Sequence, residues 1–304
     1  MLIERLASEI GLRREQLLHL AETASKRYFT FPVEKRNGQK RWIAHPSRPL
    51  KGLQRLLNAQ LFAAYRIHPA AVAYQKGSSI KENAYRHVAT NFTLRLDFAD
   101  FFPSFTKGGI IQFLKENRVV GGNLNAADLS FVGNIVTKND QLTIGAPSSP
   151  ILTNALMYSA DDEVARICYQ KGLIYTRYAD DLFFSSFDPF ALDDVVVNIR
   201  KIAAKFPYAV LKINEQKTAF LSRKYRRRIT GLIITSDRKV SVGRARKREI
   251  KALVNDFRNG QLDIEKIEYT KGLIFFAFDV DRAFFDSLSQ KYGRSVISKL
   301  IGKS

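Results

Sequence analysis

Cysteine is nearly absent from this chain of 304 residues, which has one cysteine, Cys168, and four histidines. A single thiol cannot form an internal disulfide, and this fits the reducing conditions of a cytoplasm. One cysteine with four scattered histidines also excludes a zinc cluster built from these ligands. No apolar run approaches the length of a membrane-spanning helix, so the sequence predicts a cytoplasmic protein without a membrane segment.

Acidic residues are scarce as well. The chain has 29 of them against 49 Lys and Arg, and its formal net charge is +20. Such an excess repels itself unless a polyanion lies nearby, so we expect a nucleic acid or an anionic surface as partner. Between Arg223 and Lys251, 12 cations and two acids give a net +10, half of the total. Apolar stretches interrupt this segment, which predicts a folded basic surface with salt-dependent phosphate contacts.

Helical patterns alternate irregularly with a few strand-like runs, and no βαβ rhythm is visible. This mixture predicts an α+β fold rather than a doubly wound parallel sheet. Apolar positions at helical spacing predict one amphipathic helix over residues 1–22. The pair Asn37-Gly38 predicts a hairpin turn, and the residues from about 236 onward predict a separate helical region.

The stretch "GLIYTRYADDLFFSS", residues 172–186, places two adjacent aspartates between two strand-like runs. It predicts a β-hairpin with Ala179, Asp180 and Asp181 at its tip. Taken alone, such a pair of aspartates is an ordinary solvated turn. A third acid, Asp97, follows the strand-like run "TLRL". Alone it would equally be a turn or helix-capping residue.

These three carboxylates would converge if the strand that leads to Asp97 pairs with the hairpin. Clustered carboxylates repel each other, and a bound dication offsets that repulsion. Magnesium prefers oxygen ligands, and two ions about 3.5–4 Å apart can activate a 3′-hydroxyl and stabilise a leaving pyrophosphate. The sequence therefore predicts a site for two Mg²⁺ ions formed by Asp97, Asp180 and Asp181.

Five motifs resemble those of a known enzyme family. "YADD" at 178–181 resembles the catalytic hairpin of reverse transcriptases, "LRLDFADFFPSF" resembles their first aspartate motif, and "GAPSSP" at 145–150 resembles their substrate-binding loop. "NAYRH" at 83–87 and "ITG" at 229–231 resemble two elements of bacterial retron reverse transcriptases, the second with Ile in place of the usual Val. The motifs follow one another in the family's order.

The resemblance implies an RNA-directed DNA polymerase with a right-hand fold of fingers, palm and thumb. An amino-terminal helix and the fingers would occupy residues 1–93. The palm, an antiparallel sheet with packed helices, would occupy residues 94–235, with finger elements at about 106–144. A helical thumb that binds RNA or duplex would occupy residues 236–304.

The resemblance also implies roles for individual residues. Asp97, Asp180 and Asp181 would be the catalytic residues and the magnesium ligands. A ring at Phe102 would lie beneath the incoming sugar and exclude a ribose 2′-hydroxyl, whereas Phe101 would be a core residue. The residues implied to bind the deoxynucleoside triphosphate (dNTP) are Lys40, Arg41, Phe102, Gly145, Ala146, Pro147 and Lys217. Lys35 and Arg36 stay open as alternatives for the triphosphate contact, and Lys217 would lie near the leaving pyrophosphate.

One position of the substrate-binding loop departs from the family. Ile144 stands where the family usually has glutamine before the glycine of "GAPSSP". This removes a polar side chain from that position but leaves the role of the loop's backbone intact, because Gly and Ala allow close approach of the main chain.

A further set of residues is implied to contact RNA. For Asn83 and His87, four residues apart on one helical face, we favour a structural or RNA-docking role over catalysis. Thr230 and Gly231 belong to the "ITG" element, and the remaining members carry positive charge. The predicted RNA-binding residues are Asn83, His87, Arg226, Arg227, Arg228, Thr230, Gly231, Arg244, Arg246, Lys247 and Arg248.

The implied partners are a structured noncoding RNA that serves as template and primer, the RNA–DNA hybrid product, dNTPs and a separate effector protein. The product would be a branched RNA–DNA molecule, and the biological setting would be defence against phage. Two alternatives remain. The chain could be another bacterial or group II intron-like reverse transcriptase, or a catalytically inactive RNA-binding scaffold.

Overall fold

The computed structural model describes residues 2–34, 38, 40–117, 124–224 and 227–302. Helices dominate this part of the chain, and none of them combines the length and apolarity that a bilayer crossing requires. The helices are α1 Leu2–Ile10, α2 Arg14–Glu22, α3 Arg48–Gln60, α4 Ile80–Arg86, α5 Phe101–Ser104, α6 Lys107–Glu116, α7 Ala126–Val136, α8 Ser148–Leu156, α9 Tyr158–Gln170, α10 Val195–Lys205, α11 Arg244–Arg258, α12 Ile264–Val280, α13 Arg282–Tyr292 and α14 Arg294–Ile301.

The strands of the described residues form three sheets. β1 pairs with β2, β10-β9-β8 form a second sheet, and β4-β5-β3-β6 form the largest, in which β7 also pairs with β3. The strands are β1 Tyr28–Glu34, β2 Lys40–Pro46, β3 Phe92–Ala99, β4 Ile174–Tyr178, β5 Asp181–Ser186, β6 Lys212–Ile213, β7 Ala219–Ser222, β8 Arg227–Ile229, β9 Leu232–Ile234 and β10 Val240–Ser241. Mixed helices and antiparallel pairs confirm the predicted α+β class.

Several elements are more broken than the sequence pattern predicts. The expected single amino-terminal helix is two helices, because Gly11 adopts a left-handed φ of 67° between them. The long helix expected after "GAPSSP" is interrupted at Met157, which ends α8 and precedes α9. Gly293, with φ 90°, separates α13 from α14. Periodicity alone does not reveal such breaks, because the apolar stripe continues through them.

The predicted hairpin with the two aspartates is present, with one correction. β4 ends at Tyr178 and β5 begins at Asp181, so Ala179 and Asp180 alone form the turn and Asp181 is a strand residue. Ala179 has φ 58°, a left-handed conformation that is unfavourable for a residue with a Cβ. Both strands are largely buried because they lie beside β3 and α9.

Aromatic packing supports the strand that carries Asp97. β3 extends three residues beyond its predicted end at Leu96, so Asp97 lies within the strand. The ring of Phe98 stacks on Phe101 at 6.0 Å, and Phe101 meets the edge of Phe105 at 5.1 Å. Phe101 is therefore a core residue, in agreement with the prediction.

The chain divides into two compact units. The first unit comprises Met1–Lys76, Arg95–Phe184 and Phe190–Ala219, and the second comprises Gly77–Leu94, Ser185–Pro189 and Phe220–Ser304. The predicted division into fingers, palm and thumb, with boundaries at 93 and 235, stays a prediction.

Candidate active site

Strand pairing brings the three predicted acids to one place in the first unit. β5 lies next to β3 in the sheet. The backbone N–H of Phe98, directly after Asp97, donates to the carbonyl of Asp180 at 3.0 Å. Asp181 opens β5 beside them. Residues more than 80 positions apart in sequence thus meet at the hairpin turn.

The pKa values of Asp180 and Asp181 are raised, because both acids are partly buried next to other carboxylates. Burial, and then the charge of Asp97, raise the pKa of Asp180. Burial, and then the charge of Asp180, raise the pKa of Asp181 to about 6. Burial and mutual repulsion both disfavour the charged form of these carboxylates, and a nearby cation offsets this cost.

Lys217 supplies one such cation. Its Nζ donates to both carboxylate oxygens of Asp97, at 2.8 and 2.9 Å, while its side chain remains 45% exposed. The backbone N–H of Asn214 donates to the Asp97 carbonyl at 2.7 Å, which fixes the turn that carries Lys217 against β3. The lysine predicted near a leaving pyrophosphate therefore lies directly on an acid of the site.

Arg95 is a site residue that the sequence analysis missed. It lies two positions before Asp97, on the same face of β3. Its Nε lies 3.9 Å from Oδ1 of Asp181, and its Nη2 donates to the Lys217 carbonyl at 3.2 Å. The i, i+2 spacing within "LRLD" was the available signal. Arg95 joins the strand that carries Asp97 to the acid of the neighbouring strand.

The donor chemistry of the site fits a magnesium ion, although the present arrangement does not enclose one. Three carboxylates offer the oxygen ligands that Mg²⁺ prefers. Yet no three Asp, Glu, His or Cys side chains within the described residues stand close enough together to hold a metal ion as they are. The reason is visible in the ion pairs: Lys217 covers both oxygens of Asp97, and Asp181 faces Arg95. A dication held by Asp97 would take the place of the lysine ammonium on these oxygens.

The "GAPSSP" loop packs against the second strand of the β1–β2 hairpin. The backbone N–H of Ala44 donates to the carbonyl of Ile144 at 2.8 Å. Gly145 has φ 113°, and a Cβ there would lie 2.7 Å from the carbonyl oxygen of Ala44. Asn58 donates from Nδ2 to the Pro147 carbonyl at 2.9 Å. The backbone of Ile144 thus fixes the hairpin, whatever side chain this position carries.

The predicted nucleotide residues differ in exposure. Ala146 is buried, whereas Phe102 is half-buried, with its ring 6.4 Å from that of Tyr74. Lys40 and Arg41 are exposed on β2, and the positive charge of Arg41 acts on the carboxyl of Asp180. The charge of Arg41 therefore reaches the acidic site, and its contact with the triphosphate stays a prediction. The two other candidates, at positions 35 and 36, lie outside the described residues.

Three predicted RNA-binding residues form a buried group in the second unit. His87 and Asn83 are fully buried, and His87 Nδ1 forms a 2.7 Å hydrogen bond with the Ser185 hydroxyl. Arg227 is also buried and donates to the carbonyls of His87 and Thr90. Burial lowers the pKa of His87 to about 3, so its ring is neutral. All three side chains are buried in this structure, which for Asn83 and His87 agrees with the structural alternative, and a role of the three residues in RNA binding stays a prediction.

The "ITG" element forms a tight turn. Thr230 and Gly231 connect β8 to β9 with φ 46° and 86°, the two positive values that a type I′ hairpin turn requires. The Thr230 hydroxyl donates to the carbonyl of Ile80 at 3.0 Å, which joins this turn to the helix that carries "NAYRH". Two motifs that were predicted separately are therefore parts of one packed structure.

The basic residues of α11 are not equivalent. Arg244 and Arg248 are exposed and lie one helical turn apart on the same face. Lys247 donates to Asp281 at 2.7 Å, and Arg246 lies 3.5 Å from Glu249, so both are already paired. Arg228 is exposed on β8, and Arg226 lies outside the described residues. Among the predicted RNA-binding cations that the structure describes, Arg228, Arg244 and Arg248 are thus the exposed ones.

Comparison with known proteins identifies the family. A family model described as reverse transcriptase (RNA-dependent DNA polymerase) matches residues 33–251. The Escherichia coli retron Ec83 reverse transcriptase is 34% identical over 278 residues, which is 90% of this chain and 89% of that protein. The E. coli retron Ec86 reverse transcriptase is 33% identical over 297 residues, covering 94% and 88%.

Among solved structures, telomerase from Candida albicans aligns with 86% of this chain and 54% of its own, at 14% identity and a TM-score of 0.49. The family match covers the acids, the substrate loop, the "ITG" turn and most of α11. It confirms the predicted right-hand polymerase fold. The chain belongs to the reverse transcriptases of bacterial retrons, which are RNA-directed DNA polymerases.

Proposed function

We propose that this enzyme copies a cognate structured noncoding RNA into DNA by two-metal nucleotidyl transfer. The RNA serves as template and primer, and priming from the 2′-hydroxyl of an internal guanosine gives a branched RNA–DNA product. The observation that carries the chemistry is the meeting of Asp97, Asp180 and Asp181 at one turn. Family membership supports the retron features, including action in phage defence with a separate effector protein.

In this proposal Asp97 and Asp180 are the principal ligands of two Mg²⁺ ions, and Asp181 completes the acidic site. The bound ions would lower the pKa of the priming hydroxyl and neutralise charge on the leaving pyrophosphate. Lys217, released from Asp97, would then be free to approach the pyrophosphate with its proton. Arg41 would bind the triphosphate, whose charge complements it. The Gly145–Pro147 backbone would position the nucleotide.

Nucleic acid that copurifies with the protein tests this proposal. The extracted nucleic acid is divided between RNase and DNase treatment and analysed on denaturing gels. We expect a short DNA that is joined covalently to RNA, so that RNase shortens the species without removing its DNA. Recovery of cellular RNA alone, with no attached DNA, would contradict the proposed branched product.

Phe102 provides a prediction for sugar selection. Replacing it with Val removes the ring that would collide with a ribose 2′-hydroxyl, whereas Phe102→Tyr keeps the ring. We expect Phe102→Val to lower the preference for dNTPs over ribonucleotides about 10- to 100-fold, in line with the discrimination that one steric contact provides. The ratio of kcat/KM for the two substrates measures this. An unchanged ratio in Phe102→Val would remove Phe102 from the substrate site.

The exposed cations of α11 provide a prediction for RNA binding. The double variant Arg244→Gln, Arg248→Gln removes two exposed charges and should weaken binding to structured RNA. Because each phosphate contact contributes about one unit to the dependence of log K on log salt, the slope should fall by about 1.5–2. Arg166→Gln, on the exposed face of α9, is the control and should leave the slope unchanged. Equal slopes in both variants would place the RNA elsewhere.

A further inference from the structure

A buried ion pair adjoins the turn formed by Ala179 and Asp180, which is the catalytic turn of the proposed mechanism. Arg177 on β4 and Asp161 on α9 have fully buried side chains. Arg177 donates from Nε to Oδ1 of Asp161 at 2.8 Å and from Nη2 to Oδ2 at 2.7 Å. The Tyr175 hydroxyl donates to the same Oδ1 at 2.8 Å. The carboxylate therefore accepts three hydrogen bonds inside the core.

Core stability alone does not account for this pair. Removing two charges from water is costly, and replacing a buried ion pair with apolar side chains of similar volume is often neutral or stabilising. The surrounding positions of β4 and β5 are filled with apolar and aromatic side chains that pack well, such as Phe184 stacked on Tyr175 at 5.1 Å. The guanidinium supplies directional hydrogen bonds that an apolar side chain of the same volume lacks.

The third bond of Arg177 reaches the turn itself. Nη1 donates to the backbone carbonyl of Ala179 at 3.1 Å. Ala179 is the left-handed residue that immediately precedes Asp180. A non-glycine residue holds such a conformation only when its surroundings impose it. Arg177 is the side chain that meets this carbonyl, so it fixes the peptide plane that aims Asp180.

The backbone of Arg177 is fixed as well. Its N–H donates to the Ala70 carbonyl at 2.7 Å, and its own carbonyl accepts from the N–H of Val72 at 2.8 Å. The Asn154 side chain in turn donates to the Ala73 carbonyl at 2.9 Å. Both backbone hydrogen-bonding groups of Arg177 are therefore paired with the segment around Ala71, and this holds the base of its side chain in place.

We infer that the Arg177–Asp161 pair is a positioning device for the catalytic turn: Asp161 orients the guanidinium, and the guanidinium holds the Ala179 carbonyl so that Asp180 and Asp181 meet Asp97. The Arg177 side chain is fully buried, so it would act through the turn. This inference rests on the proposed role of Asp180 and Asp181 as ligands. It adds a pair of residues outside the acidic site on which their geometry depends.

The test compares an apolar replacement of the pair with a surface control. The double variant Arg177→Met, Asp161→Leu removes both charges together and leaves neither unpaired. We expect its melting temperature to stay within a few degrees of wild type. The value of kcat per folded molecule should fall about 100-fold, the scale of a misplacement near 1 Å, with KM for dNTP changed less than threefold.

Mn²⁺ binding followed by electron paramagnetic resonance gives a readout that needs no turnover. It should weaken about tenfold in the double variant, because Asp180 and the adjoining Asp181 are no longer aimed at Asp97. The control Arg166→Met, Asp162→Leu removes an exposed pair from the same helix and should change none of these quantities. Unchanged kcat and Mn²⁺ affinity in the double variant would overturn the inference.

A second variant covers the case in which the double variant fails to fold. Arg177→Lys keeps a cation opposite Asp161 but lacks the Nη1 that donates to the Ala179 carbonyl, and Arg166→Lys on the exposed face of α9 is its match. A fall in kcat and Mn²⁺ affinity for Arg177→Lys alone supports positioning, and equal values for the two overturn it. Synthesis that survived in Asp180→Asn would instead refute the ligand assignment, so the two failures are distinguishable.

Discussion

Asp180→Asn is expected to abolish DNA synthesis, with a loss of about 10³-fold or more in kcat, and to leave RNA binding within twofold. The substitution keeps the shape of the side chain but removes a ligand charge at the point where β3 and the hairpin meet. Loss of a single preorganised electrostatic contact at a reacting centre typically costs about 10²–10³-fold, and a metal ligand contributes at least as much. Primer extension and filter binding on the same preparation measure the two effects.

The control for this prediction is Asp162→Asn, which removes an exposed acid from α9. It should behave as wild type in both assays. DNA synthesis at more than a tenth of the wild-type rate in Asp180→Asn would show that the metal assignment is wrong.

Gly145→Ala should destabilise the enzyme by about 2–4 kcal/mol and reduce synthesis at least tenfold. The φ of 113° is unfavourable for alanine, and its Cβ would lie 2.7 Å from the Ala44 carbonyl. The β2 backbone cannot withdraw without breaking the 2.8 Å bond from Ala44 N–H to the Ile144 carbonyl. Denaturant unfolding and primer extension measure the outcome.

Gly172→Ala separates the two causes. Gly172 also has a positive φ, 63°, but a Cβ there meets nothing within 4 Å. It should therefore lose only the conformational part, about 1 kcal/mol, and retain synthesis. If the two variants were equally stable and equally active, the packing of the substrate loop against β2 would not matter to this enzyme.

The acidic centre could be predicted because its residues are marked locally. Two aspartates at the tip of an apolar hairpin, and a third after a strand, are visible in the sequence, and the family resemblance placed them together. The "ITG" element with Thr230 and Gly231 was also visible in the sequence, whereas position 37 of the predicted Asn37-Gly38 turn lies outside the described residues. Such signals involve only a few neighbouring positions, so they can be recognised without knowledge of the tertiary structure.

The partners of those residues could not be predicted, because they come from distant parts of the chain. Nothing in sequence tells that Lys217 pairs with Asp97, 120 positions away, or that Arg177 pairs with Asp161 on a preceding helix. Arg227 lies within a basic run and yet points into the core. A run of positive charge predicts affinity for phosphate, but it does not predict which of its cations form hydrogen bonds or ion pairs within the protein.

The sequence predicted Lys217 near the pyrophosphate, and the structure places it on Asp97, which constrains the proposed mechanism. Its ammonium donates to both carboxylate oxygens of Asp97. The site is thereby electrostatically balanced at Asp97, while Asp180 and Asp181 have raised pKa values. Metal binding and movement of Lys217 are consequently one coupled step in the proposed mechanism.

The central claim is that Asp97, Asp180 and Asp181 share a pair of dications. Crystals of the enzyme with its RNA, a non-hydrolysable dNTP and Mn²⁺, measured by anomalous diffraction, test it most directly. We predict two peaks about 3.5–4 Å apart, with oxygens of Asp97 and Asp180 in contact with them and Lys217 displaced. Peaks that avoid these carboxylates, with the Lys217–Asp97 bond intact beside a bound nucleotide, would contradict the account.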